Sequence, residues 1–213
     1  SRSTRGASRA RLDGSRAFLK YRTGIEEYAY QTIKHLREVL PADAEVRLYV
    51  RKKFSVRCWR LVFAYPEIDF ELPANWKVRG IWAPRFWTQA GLSLEMLLHP
   101  VEALFVPAHT VPVIHPKNTV VTVHGLEYEV FPKAYSWWAR IYMPLSIRYS
   151  VKAAKTIICV SENTKRDVMR LYKVPAEKIQ VVYEGYEQGE IHDSRFTIHE
   201  KTEKPYLLFI GRL

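Results

Sequence analysis

The sequence predicts a doubly wound, mostly parallel α/β sheet. Two observations carry that prediction. Short apolar runs recur through residues 103–185, and they are continuous rather than alternating, as in strands covered on both faces. Helical stretches separate the later runs, which implies right-handed βαβ units in a Rossmann-like domain. At 213 residues, 47% of them hydrophobic, the chain is long enough to bury a core.

The elements follow in order. Residues 1–11, "SRSTRGASRAR", hold no large apolar side chain and are expected to form a disordered basic arm. From Gly24, "GIEEYAYQTIKHLREVL" spaces Ile25, Ala29, Ile33, Leu36 and Leu40 for an amphipathic helix. "EVRLYV" (45–50), "RLVFAY" (60–65) and "KVRGIWAP" (77–84) are strand candidates, and "QAGLSLEMLLHP" (89–100) is a helix stopped by Pro100. "ALFVPAH" (103–109), "NTVVTVHG" (118–125), "KTIICVS" (155–161) and "IQVVYEG" (179–185) are the regular strands. Long helices are expected at about 135–154 and over "SENTKRDVMRLY". The expected domain division is 12–192 for the α/β domain, a polar linker at 193–205, and a new strand, "YLLFIGRL", at 206–213. A strand running into Gly-Arg is expected to lead into a second domain, so the chain is expected to be a fragment.

Thirty-three basic against 22 acidic residues leave a net charge of +11 and a pI near 9.6, which favours an anionic partner: a phosphate ligand, a nucleic acid or an acidic lipid. Cys58 and Cys159 sit in apolar runs and are expected to be buried free thiols. Neither a signal-peptide core nor an apolar stretch of about 18 residues is visible, so a cytoplasmic chain is expected, with peripheral contact at the inner membrane face left open.

In open α/β sheets, ligands bind at the carboxyl ends of the strands. His109, His124, Ser161 and the Glu184-Gly185 pair all fall at predicted strand ends. His124 has two readings: a ring satisfied by backbone in a tight turn, or an imidazole that orients a substrate hydroxyl. Gly125 beside it allows a sharp turn or a close approach of backbone to ligand. Ser161 suffices as a helix cap with Glu162 in the first turn, while a functional reading puts Glu162 at the floor of a cleft. Gly24 opens a helix that is suited to phosphate, although one glycine is neither a Gly-x-Gly-x-x-Gly nor a Walker loop. The stretch "FPKAYSWWARIYMPLSIRYSVKAAK" interleaves Trp137, Trp138 and Tyr142 with Arg140, Arg148 and Lys152. It is either core packing or a helix lying on anionic lipid. No named nucleic-acid motif is present.

Taken together, "TGIEEYAYQTIKHL", the run from "ALFVPAH" through "VVYEGYE", and "YLLFIGRL" resemble glycosyltransferase family 4, a family of the GT-B fold with two Rossmann-like domains facing a cleft. The resemblance covers about residues 12–213 and is strongest over 103–187. It implies retaining transfer of a hexose from a nucleotide sugar, such as a UDP- or GDP-hexose, to a glycan, lipid-linked or cell-envelope acceptor. This chain would be the acceptor half. The resemblance places His124 beside the transferred sugar, Gly24 in the glycine loop near donor phosphates and acceptor, and Glu162 at the acidic "SE-x-T" helix start. It places Gly211 and Arg212 at the leaving diphosphate. No metal or other cofactor is implied, and no nucleic acid is expected. Three departures stand out: Glu184-Gly185 replaces an Asn-Gly, no apolar first strand precedes Asp13-Gly14, and the lysine and Glu-x7-Glu of the donor domain are absent, so the chain alone is expected to be inactive. The alternative is a non-catalytic basic α/β module that binds anionic lipid or nucleic acid.

Overall fold

The structure, a computed structural model, describes residues 9–57, 60–83 and 87–185. In chain order the principal elements are β1 (Arg9–Asp13), α1 (Gly24–Val39), β2 (Glu45–Arg51), β3 (Lys53–Arg57), β4 (Arg60–Ala64) and β5 (Trp76–Ile81). A π-helical turn (Trp87–Leu92) then leads into α2 (Ser93–Leu98). After it come β6 (Ala103–Val106), β7 (Asn118–Val123), α3 (Glu127–Val130), α4 (Trp137–Ala153), β8 (Thr156–Cys159), α5 (Glu162–Tyr172) and β9 (Ile179–Val181).

Seven strands make one parallel sheet in the order β5-β2-β1-β6-β7-β8-β9, while β3 and β4 pair antiparallel outside it. Alternate residues of a strand serve opposite layers. Val46, Leu48 and Val50 pack with Ala29, Tyr30 and Ile33 of α1. Tyr49, between them, joins the larger core of the other face with Leu104, Val121, Ile157 and Val168. This is the Rossmann-like α/β sheet that the continuous apolar runs predict.

Helix starts follow from local chemistry. Thr23 and Glu26 form a reciprocal capping box at α1, and Glu26 and Glu27 lie in its first turn. The Ser161 hydroxyl accepts from the Thr164 N–H (3.1 Å) at α5. That helix ends at Lys173 with φ 55°, a left-handed stop. The helix expected at 89–100 begins instead as the π-helical turn. Pro144 lies inside α4, where it has no N–H to give to the Arg140 carbonyl.

The principal correction concerns the amino terminus. Residues 9–11 do not belong to a disordered arm: with Leu12 and Asp13 they form β1, the missing first strand, at the centre of the sheet between β2 and β6. Leu12 pairs with Leu48 on one side and Phe105 on the other. The arginines are tolerated because they lie toward the amino end of the strand. Arg11 is 5% exposed, and its guanidinium donates to the carbonyls of Ala10 (3.0 Å) and Glu45 (3.3 Å). Cys159 is buried and unpaired, and burial pushes its thiol up to about 12. Cys58, Gly211, Arg212, the linker at 193–205 and the strand expected at 206–213 lie outside the described residues.

Candidate active site

The strand order reverses between β1 and β6, and the crevice beyond their carboxyl ends is where such a sheet takes its ligand. After β1 the chain turns through Asp13 and Gly14. The Gly14 N–H donates to the Tyr49 carbonyl (2.8 Å), and a Cβ at Gly14 would sit 2.8 Å from Leu48 and 3.1 Å from that carbonyl. Only glycine fits this approach without displacing backbone. After β6 come Ala108 and His109. A cavity of about 330 Å³ lies over this point, within the usual range for small-molecule sites. Asp13, Ser15, Arg16, His109 and Thr110 give it a polar floor, and Trp138 and Tyr142 of α4 form part of its wall.

The charges of this floor are ordered. Asp13 is buried, and burial pushes its carboxyl up; hydrogen bonding from Ser15, whose N–H lies 2.9 Å away, and the nearby Arg16 oppose that rise. Arg16 donates to Glu26 (2.8 Å), which also accepts from the Thr23 N–H (3.2 Å) and the Thr23 hydroxyl. Burial pushes the Glu26 carboxyl up, but these hydrogen bonds outweigh it and hold the group below its ordinary value. Burial lowers His109 to about 4, with Arg16 and His124 adding to the effect, so the ring is neutral near pH 7.

His124 sits at the end of β7, with a side chain 11% exposed. Its Nε2 lies 3.1 Å from the Pro107 carbonyl and its Nδ1 lies 3.2 Å from the Glu184 carboxylate. Both partners accept, so the ring meets both only when each nitrogen carries a hydrogen. The Tyr28 ring packs edge-on at 4.6 Å, and the Thr164 hydroxyl donates to the His124 carbonyl (3.2 Å). The ring is satisfied within the chain, by the Pro107 carbonyl and the Glu184 carboxylate, and it stands at the strand-end edge. While Glu184 is in place, neither ring nitrogen is free for a substrate hydroxyl.

The other sequence-predicted residues are dispersed. Gly24 opens α1 with no atom within 4 Å of a Cβ placed on it, and it lines a second, largely apolar groove of about 950 Å³ with Tyr28, Phe105, Ile158, Glu184 and Gly185. Gly125 has no positive φ, and a Cβ there would meet the flexible Glu127 carboxylate. Glu162 is exposed in the first turn of α5 and lines neither cavity, while Ser161 acts as the cap. Asp13, Arg16 and Glu26 escape a reading by apolar runs. The visible signal for them is the Asp-Gly pair, which has meaning only once "RARLD" is read as a strand. Among the described residues, no three His, Cys, Asp or Glu side chains are placed to hold a metal ion.

Comparisons with known proteins agree on the fold. The family model for Glycosyltransferase Family 4 matches residues 22–188. The O-antigen chain mannosyltransferase RfbU of Salmonella typhimurium is 24% identical over 193 residues, which cover 89% of this chain and 51% of that protein. Among solved structures, WaaG, a glycosyltransferase involved in lipopolysaccharide biosynthesis, superposes with a TM-score of 0.51 at 9% identity, over 81% of this chain and 44% of that one. The chain thus spans about half the length of the curated relative it matches, and its sheet is the amino-terminal half of a GT-B fold.

Proposed function

Because the chain belongs to glycosyltransferase family 4, we propose that it is the acceptor-binding half of a retaining, nucleotide-sugar-dependent hexosyltransferase. The observation that carries this reading is the crevice between β1 and β6, where Asp13, His109 and Arg16 line one small cavity and His124 closes the neighbouring strand end. A neutral His109 and the hydroxyls of Ser15 and Thr110 are suited to sugar hydroxyls, because each both donates and accepts. Such a floor recognises a polyol by direction as well as by shape. The acceptor is then a glycan or a lipid-linked glycan of the cell envelope, and the mannosyl transfer named for the Salmonella relative makes a mannosyl donor the first to test. A UDP- or GDP-hexose is bound jointly with a second domain, which is consistent with relatives twice as long. Catalysis without a metal would rest on fixed hydrogen-bond donors and dipoles at the leaving diphosphate. In this reading His124 turns from Glu184 toward the transferred sugar when donor and acceptor are bound. The protein works in the cytoplasm.

The test is saturation-transfer NMR of the chain with envelope oligosaccharides, followed by a transfer assay with GDP- and UDP-hexoses in the presence of the donor half. Saturation on the glycan is expected, and Asp13→Asn is expected to weaken it. A chain that saturates no glycan but binds nucleic acid with a steep salt slope would instead be the non-catalytic basic module that its net charge of +11 also suits.

A further inference from the structure

Helix α2 turns one face inward and the other outward. Ser93, Glu95 and Met96 are buried against the sheet. Leu94, Leu97 and Leu98 lie on the opposite side, three and four residues apart, and are 54%, 57% and 62% exposed. The segment that follows β6 extends this surface, with Val113 59% and Ile114 39% exposed. Hydrogen bonds hold that segment between α2 and α4. The Ile114 N–H donates to the Ser93 hydroxyl (3.4 Å), the Gln89 side-chain amide donates to the Val111 carbonyl (3.3 Å), and the Tyr149 hydroxyl donates to the Val113 carbonyl (2.9 Å). Five apolar side chains thus share one surface on a fixed backbone. They line neither cavity, so the site described above does not account for them.

Charge limits the partner. The chain has 33 lysines and arginines, yet none between Arg85 and Lys117. The two carboxylates of that stretch are Glu95 and Glu102. Glu95 is buried, paired with Arg79 (3.3 Å) and facing His99 (3.4 Å). The outward face of α2 and residues 111–114 therefore present no ionic group. Two chains of net charge +11 repel each other over most of their surfaces. Here they can meet without bringing cations together. An acidic macromolecule or an anionic lipid surface would find no lysine or arginine within this face to bind. The route toward a second domain starts elsewhere: Tyr183, Glu184 and Gly185 line the groove beside α1, on the other layer of the sheet.

Size and outline fit a second copy. The five side chains expose on the order of 500 Å², the size of a functional patch and more than half of the ~800 Å² that each partner gives to a standard interface. Glu102 and Lys117, exposed where the two segments end, place both signs of charge at the edge of an uncharged centre. Interface cores and rims divide in this way. In a two-fold pair each copy brings both signs, so the rim is self-complementary.

We propose that the outward face of α2, with Val113 and Ile114, is the contact through which two copies of this chain form a symmetric dimer. The contact leaves the lining of the 330 Å³ cavity untouched, so glycan saturation and dimer formation are measured separately and either can fail alone.

The experiment is sedimentation velocity of the full chain over about 1–100 μM, the range in which a modest interface of this size dissociates. A monomer–dimer equilibrium is expected. It is expected to strengthen as salt rises from about 50 to 500 mM, because salt screens the repulsion between the two basic chains. Leu94→Ser with Leu98→Ser is expected to raise the dissociation constant at least about tenfold, as loss of central anchors does. Trp137→Ser, on the exposed part of α4, is expected to leave it unchanged. Far-UV circular dichroism checks the fold of both variants, and the concentration and salt series of the unaltered chain are read independently of them. A chain that stays monomeric throughout overturns the proposal. So does a dimer that salt dissociates, since that is association by charge. A dimer that survives the double substitution, or that Trp137→Ser abolishes, overturns it by placing the contact elsewhere. A monomer that binds neutral phosphatidylcholine vesicles, and loses them with the double substitution, would make this a lipid face instead.

Discussion

At the scale of single residues, His124 and His109 separate two roles that one residue type can play. His124→Ala removes the contacts with the Pro107 carbonyl and the exposed Glu184 carboxylate and the edge contact with Tyr28. For a hydrogen bond of this kind the stability cost is about 1 kcal/mol. Loss of a group that stabilises transferred charge costs ~100-fold or more in rate. A small shift in urea midpoint together with a transfer loss of that size is the expected result for the paired halves, whereas a transfer loss no larger than the unfolded fraction explains would leave His124 a packing residue. His109 is expected to show its role in the pH profile of stability. Its folded pKa of about 4 lies below the ordinary 6.5, so in that interval the unfolded chain binds the extra proton. Stability due to this group is therefore complete above pH 6.5 and falls as the pH drops toward 4. His109→Asn is expected to flatten the fall in melting temperature across that window. An unchanged slope would mean that the imidazole is not held neutral by its surroundings.

At the scale of elements, the contrast between β1 and β7 shows what a sequence displays and what it hides. "NTVVTVHG" is legible as a buried strand because its apolar run is unbroken and its neighbours cover both faces. "RARLD" is central too, yet only Leu12 in it is large and apolar. What makes it a strand lies in the partners: a complete parallel register with β2, and the carbonyl and carboxylate of Glu45 that receive Arg11. Pairing across 36 positions leaves no local signal, and with β1 hidden, Asp13, Ser15 and Arg16 on its side of the cavity floor are hidden as well, whereas His109 on the β6 side is legible as a strand end. The outward face of α4 was legible in composition, but composition alone did not say whether those rings faced the sheet or solvent. Glu45 gives the element-scale test. It pairs with the exposed Arg9 (3.8 Å) and the buried Arg11 (3.9 Å). Arg9→Ala is expected to change stability by less than ~1 kcal/mol, as exposed pairs do. Glu45→Ala leaves the Arg11 guanidinium less compensated and is expected to cost more than that. Equal effects in urea denaturation would mean that β1 does not depend on this carboxylate.

At the scale of the molecule, the two faces of the sheet are unequally covered. One face holds the larger core, built from β6 through β9 with α2, α4 and α5 and reaching Tyr49 and Ile81 on the far strands. The other is packed chiefly by α1 against β1, β2 and β5, and beside α1 it opens into the 950 Å³ groove. A layer held by one helix is expected to open below the global unfolding free energy. At the β1–β6 boundary one residue pair, Leu12 with Phe105, sets the ladder register. Amide hydrogen exchange is then expected to give two classes: α1, β2 and β5 opening together at lower free energy, and β7, β8 and α5 near the global value. Ile33 is fully buried in the α1 layer, and Ile33→Ala is expected to remove about 2–5 kcal/mol from the first class. The second class should be unaffected until the two values cross. If all amides shift together from the start, the sheet unfolds as one cooperative unit, and the crevice between β1 and β6 has no mobility of its own with which to admit a ligand.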